Sequence, residues 1–109
     1  MLAATPEPPY VAVIFTNQRT DGDKGYATMA EEMVCLAAQQ PGYLGMESAR
    51  DAAGFGITVS YWATEEDAVA WRDVADHREA QRLGFSTWYE GLATRVAVVH
   101  RHHIWHRPD

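Results

Sequence analysis

Trp71, Arg72 and His77 fall within one short stretch of the chain, and each can act on a small molecule. Trp71 offers a flat apolar wall. A Trp inside a helix of so small a domain needs a wide neighbour to pack on, or a flat ligand. His77 carries an imidazole, the side-chain type best suited to accept a proton near neutrality. Arg72 is a permanent cation that can steady an enolate or phenolate, or pair with Asp76 one turn later. Asn17 ends an apolar strand, where it can donate a hydrogen bond or simply form a turn.

A second group of chemical residues lies near the C-terminus: His100, His102, His103 and His106. On one strand face His100 and His102 could hold a divalent metal, but no Cys or carboxylate pair supports them. A solvated strand end is the expectation. Cys35 is the single cysteine, so no intramolecular disulfide can form, and a buried or half-buried inert thiol is expected. Catalytic triads, P-loops and dinucleotide glycine fingerprints are absent. Gly54-Phe55-Gly56 precedes a strand and no helix, so it is not a phosphate loop.

With 109 residues, 47% of them hydrophobic, the chain can bury one core. Its net charge of -6 argues against a nucleic-acid partner, whose phosphates call for a basic surface. No apolar run approaches the ~20 residues needed to cross a bilayer. The first ten residues lack the basic and apolar regions of a signal peptide, so a cytoplasmic protein is expected. Pro6, Pro8 and Pro9 predict a flexible tail over 1–9, followed by one domain over 10–102 and a C-terminal tail over 103–109.

The elements that must position these residues follow from periodicity. Tyr10 to Gln18 is β-branched and aromatic and predicts a strand. Gly25 to Gln40 places Tyr26, Met29, Met33, Leu36 and Ala37 near helical spacing, and Pro41-Gly42 ends the helix. Tyr43 to Ala49 and Phe55 to Trp62 predict a hairpin. Thr64 caps a helix whose first turn holds Glu65, Glu66 and Asp67. Ala68, Trp71 and Ala75 share one face, which turns polar at Glu79 and Arg82. A break near Asp76 is therefore expected, with Asp76-His77-Arg78-Glu79 as a restarting capping box and Gly84 closing the second piece. Ser86 to Glu90 reads as a short helical turn and Leu92 to His102 as the last strand.

The order β-α-β-β-α-β is the ferredoxin-like split βαβ arrangement, an α+β fold with a four-stranded antiparallel sheet and both helices on one face. The first and last strands are apolar on both faces. Val11, Val13 and Phe15 alternate with Ala12 and Ile14, and Val96 and Val98 with Ala97 and Val99. Two helices cover only one face, so a second copy of the chain is expected on the other, making a homodimer.

Four features then carry a family resemblance. They are the strand ending in Thr16-Asn17, Pro41-Gly42-Tyr43, Tyr61-Trp62 with Ala68-Val69-Ala70-Trp71, and His77-Arg78-Glu79-Ala80-Gln81 through Gly84 to Trp88-Tyr89. From Tyr10 to Arg101 the chain resembles the antibiotic biosynthesis monooxygenase (ABM) family of dimeric α+β barrel proteins. The resemblance implies two sheets packed face to face and a pocket between sheet and helices in each subunit. Some members look like cofactor-free oxygenases of polycyclic aromatic phenols, and others bind and degrade heme.

For a cofactor-free monooxygenase the resemblance implies a flat pocket, a proton acceptor and groups that steady an anion. Asn17, Trp71 and His77 are the expected catalytic residues. Phe15, Tyr61, Arg72 and Trp88 are the expected contacts to a small aromatic or quinol-like substrate. No metal or organic cofactor is expected. For heme degradation, Asn17 and Trp71 match the family pattern, but the iron-ligating His falls at Gln81, a poor ligand. A non-catalytic small-molecule-binding protein of the same fold is the third reading.

Overall fold

The computed structural model describes residues 1–82 and 85–109, with side chains described outside 80–85. Seven elements follow in order: β1 (Tyr10–Arg19), α1 (Tyr26–Ala38), β2 (Tyr43–Arg50), β3 (Phe55–Trp62), α2 (Glu65–Arg82), α3 (Phe85–Trp88) and β4 (Tyr89–Val99). The strands form one sheet in the order β2-β3-β1-β4, and every adjacent pair is antiparallel. This is the ferredoxin-like arrangement expected from the element order.

Register decides which side chains meet the helices. Val11 pairs with Trp62 and Val98, and Val13 with Ser60 and Val96. Phe15 pairs with Thr58 and Thr94, and Asn17 with Gly56 and Leu92. These residues form the inner face. Val11, Val13, Ala37, Trp62, Ala68 and Trp71 make one core cluster, and Met29, Trp88 and Tyr89 a second. Between these clusters the helices stand off the sheet.

Local signals account for most element ends. Gly25, at φ 83, precedes α1 in the left-handed region that an L side chain rarely adopts. Thr64 Oγ1 accepts a 3.0 Å hydrogen bond from the Asp67 amide, so the cap of α2 stands where the sequence puts it. Asp51 Oδ1 accepts from the Phe55 amide at 2.9 Å and closes the β2–β3 hairpin.

Three sequence expectations are corrected. The helix does not break near Asp76, because α2 runs unbroken from Glu65 to Arg82. The polar residues that suggested a break are accommodated within the helix. Arg78 donates to Glu32 of α1 at 2.8 Å, and Arg72 pairs with Asp76 at 3.4 Å. Cys35 is exposed, since it lies on the solvent side of α1. His100 and His102 do not share a strand face, because β4 ends at Val99. Gly84, expected to close the second helical piece, lies outside the described residues.

The segment before β1 has no regular structure, yet it is tied to the outer sheet face. The Ala3 amide donates to Glu47 Oε2 at 2.9 Å, and Thr5 Oγ1 donates to the Tyr10 hydroxyl at 3.0 Å. The Tyr10 hydroxyl also meets His102 Nδ1 at 2.7 Å. These contacts keep Tyr10 and Ala12 buried on a face that no helix covers. No helix among the described residues is long and apolar enough to cross a membrane.

Candidate active site

The space between helices and sheet is a cavity of about 340 Å³. That is near the small end of the roughly 300–1,000 Å³ range of ligand pockets. Its floor is the inner sheet face, with Phe15 of β1, Thr58 and Ser60 of β3, Met46 and Arg50 of β2 and Thr94 of β4. Tyr26, Met29 and Met33 of α1 form one wall. Trp71, Arg72, Ala75, Asp76 and Glu79 of α2 form the other, and Tyr89 lies at one end. Residues 71, 75 and 79 are successive steps of four, so one stripe of α2 faces this space.

Trp71 has both things a helical Trp can want. Its ring stacks on Trp62, with centroids 5.7 Å apart and planes at 22°. Trp62 is fully buried and donates its indole N–H to Ser60 Oγ at 2.9 Å, which fixes the pair against β3. Trp71 is 7% exposed and also contributes to the cavity wall.

Of the other residues expected at the site, Phe15 and Arg72 also line the cavity. Arg72 carries its ion pair with Asp76 there. Asn17 is 2% exposed, one pleat along the same strand face from Phe15, and paired with cavity-lining Leu92. It is not itself among the lining residues, and neither of its amide atoms has a hydrogen-bond partner among the described residues. An amide buried in that state costs roughly 1–3 kcal/mol.

His77, Tyr61 and Trp88 do not join this constellation. His77 is exposed and outside the cavity. Six residues beyond Trp71 is about 600° of helix, which turns the imidazole some 120° off the lining stripe. Tyr61 stands on the outer face, where its hydroxyl donates to Glu47 Oε1 at 2.7 Å. Burial, that hydrogen bond and the nearby carboxylate push the Tyr61 hydroxyl up to about 12. Trp88 is 1% exposed and donates its indole N–H to the Lys24 carbonyl at 3.1 Å, so it supports the end wall as a core residue.

Glu79 and Tyr89 stand in the cavity although sequence reasoning did not single them out. Glu79 is 7% exposed, and its Oε2 has no hydrogen-bond partner among the described residues. Burial raises its carboxyl to about 7, helped by the negative charge of Asp76. Tyr89 packs edge-on against Phe15 at 5.6 Å and Tyr26 at 5.9 Å. Burial, above all, raises its phenol as well. Tyr26 in turn is held by two cations. The Arg19 guanidinium lies 3.8 Å over its ring, and Arg50 donates to its hydroxyl at 2.9 Å. A sequence signal for Glu79 existed. It lies one turn past Ala75 on the apolar stripe, where a lone carboxylate must be either buried or the end of the helix. Sequence reasoning took the second option.

Fold and cavity together define an α+β protein of the ferredoxin-like class with a cavity between sheet and helices. The sequence profile of the antibiotic biosynthesis monooxygenase family matches residues 9–83, and the chain belongs to that family. It is 51% identical over 104 residues to the uncharacterized Bacillus subtilis protein YqjZ, covering 95% of this chain and 91% of that one. Among solved structures, it superposes on PA3566 from Pseudomonas aeruginosa with a TM-score of 0.66 at 11% identity, covering 90% and 99% of the two chains. It superposes on SnoaB, a cofactor-independent oxygenase from Streptomyces nogalater, with a TM-score of 0.65 at 9% identity, covering 89% and 97%. At such identities these structures share the fold.

Proposed function

We propose that the protein is a cofactor-independent monooxygenase that acts on a flat, oxidisable aromatic or quinol-like molecule held in the sheet–helix cavity. The observation that carries this reading is the Trp62–Trp71 stack, which gives the cavity a rigid flat wall beside hydroxyl, guanidinium and carboxyl groups. Phe15 and Tyr89 add apolar ring edges. Arg72 or Arg50 would steady an enolate or phenolate, and the Asn17 amide would hydrogen-bond to the substrate if the ligand reaches one pleat deeper. SnoaB, described as a cofactor-independent oxygenase, offers a precedent for the chemistry on this fold.

The protein is proposed to work in the cytoplasm as a homodimer joined through the outer sheet face. Phe55 and Ile57 lie exposed on that face, and Ile104 and Trp105 lie exposed on the C-terminal segment beside it. Covering such a patch with a second copy removes apolar area from water at about 25 cal/mol per Å², less the cost of association. Sedimentation at micromolar concentration is expected to give a dimer, and a stable monomer would reject it.

The function is tested by oxygen uptake and absorbance with a panel of anthrones, hydroquinones and hemin. Uptake with an anthrone or hydroquinone is expected without added metal or flavin. Hemin is expected to give no sharp Soret shift, because no His or Cys lines the cavity among the described residues. A shift lost on His77→Ala would instead favour the heme reading. Tight binding of an aromatic without oxygen uptake would favour a binding protein.

A further inference from the structure

We infer that Glu79 is the proton acceptor of this cavity, taking the hydroxyl proton of a phenolic substrate onto its carboxylate. The inference rests on the oxygenase reading above and gives that site the base that His77, facing away from it, does not supply.

The groups around Glu79 leave its Oε2 without a donor among the described residues. Arg72 and Arg50 line the same cavity and Arg78 precedes Glu79 in α2, but each is engaged elsewhere. On α2, Arg72 pairs with Asp76 and Arg78 donates to Glu32 of α1. On β2, Arg50 donates to the Gly54 carbonyl at 2.7 Å and to the Tyr26 hydroxyl. Asp76 on the same helix adds a negative charge. Tyr89 at the start of β4 and Tyr26 on α1 also face the site. A carboxyl buried for structural reasons alone normally finds a donor, because leaving it unpaired is costly. Glu79 lines a ligand-sized cavity, and its Oε2 has no donor among the described residues.

The step is a simple transfer. The O–H bond of the bound phenol breaks, its proton passes to the Glu79 carboxylate, and the electron pair stays on the substrate oxygen. Carboxylate and phenol become carboxylic acid and phenolate, with no change in total charge. The same low-polarity surroundings that disfavour the carboxylate make it a stronger base, and its ordinary range moves to near neutrality. Arg72 and Arg50, both lining the cavity, are positioned to offset the phenolate. Below neutrality Glu79 is protonated and cannot accept. Above it the carboxylate is available, until the substrate ionises unaided.

The experiment uses the intact protein with dihydroxyanthrone as the reacting probe and dihydroxyanthraquinone as its non-reacting analogue. Wild-type kcat/KM is expected to rise through about pH 7. Glu79→Gln is expected to lower it about a hundredfold and remove that inflection, with anthraquinone affinity changed less than threefold. An unaltered rate and inflection in Glu79→Gln would overturn the inference while leaving the oxygenase reading intact. If wild type turns over no anthrone, the oxygenase reading fails, and Glu79 is judged by NMR with carboxyl-labelled glutamate. One carboxyl titrating near neutrality, absent from Glu79→Gln or from Glu79→Asp if Gln does not fold, and moved by the anthraquinone, would sustain it as the cavity's proton-exchanging group. If all glutamates titrate in the usual carboxylate range, or the near-neutral one ignores the anthraquinone, the inference is wrong.

Discussion

The sheet separates two hollows of nearly equal size, about 340 Å³ on the helix side and about 350 Å³ on the outer side. Each holds a glutamate and tyrosines, yet their polar groups are arranged in opposite ways. On the outer side Glu47 accepts from the Ala3 amide on one oxygen and from Tyr61 on the other. Those hydrogen bonds, the Ala3 amide foremost, lower its pKa. On the helix side Glu79 is buried, its Oε2 has no partner among the described residues, and its pKa is raised. The outer hollow spends its polar groups on holding the terminal segments in place. The inner cavity leaves a Glu79 oxygen without a partner among the described residues, beside a stacked indole pair. Volume alone does not distinguish the two.

The inner cavity depends most on Trp71. Trp71→Ala is expected to destabilise the fold by about 3–5 kcal/mol in a denaturant titration, because it removes a stacked core ring. Trp71→Phe keeps most of the packing, so its melting temperature should stay near wild type while oxygen uptake falls. Unchanged uptake in a normally folded Phe variant would reduce Trp71 to a core residue.

The two glutamates should answer pH in opposite directions. Glu79 has a folded pKa of about 7 against an ordinary 4.5, so the folded protein binds the extra proton in between. Wild-type stability should therefore fall as pH rises from 4.5 towards 7 and level off above it. Glu79→Gln escapes that loss. Its stability relative to wild type should grow by at most about 3 kcal/mol between pH 4 and pH 8, measured by denaturant titration at each pH. Glu47 has a lowered folded pKa, so its contribution is present above its ordinary pKa of 4.5 and is lost as pH falls below it. Because Glu47 is only half-buried, Glu47→Gln should cost no more than about 1 kcal/mol at neutral pH. The clearer sign should be faster proteolysis of the N-terminal segment, in the variant at neutral pH and in wild type under acid. A smaller effect belongs to His77. His77→Ala should leave uptake and its pH profile unaltered, because the imidazole is exposed and outside the cavity.

Sequence reasoning reached the fold because its signals are local and repeated. The alternation of Phe55, Ile57, Val59 and Tyr61, the Thr64 cap and the Pro41-Gly42 stop each set one element, and their order leaves few topologies. It was weaker at the site, where tertiary position decides. Trp71, Phe15 and Arg72, which line the cavity, stand out in sequence because a large ring or a cation on a helix or strand face is visible in one dimension. Glu79 was misassigned because a buried charge and a helix end look alike in sequence. Only the run of α2 through Arg82 separates them. His77 attracted attention through residue type alone, and helical rotation removes it. Tyr61 required knowing which sheet face each residue of β3 takes, and Trp88 required seeing how tightly α3 packs.

The claim that the inner cavity is the functional site is tested most directly by mapping where a flat aromatic binds. NMR of the labelled protein titrated with dihydroxyanthraquinone should perturb the Trp71 indole and the Glu79 carboxyl together at one affinity, and leave Tyr61 and Glu47 unmoved. Perturbation confined to Tyr61, Glu47 and His102, or no saturable perturbation at all, would contradict the assignment.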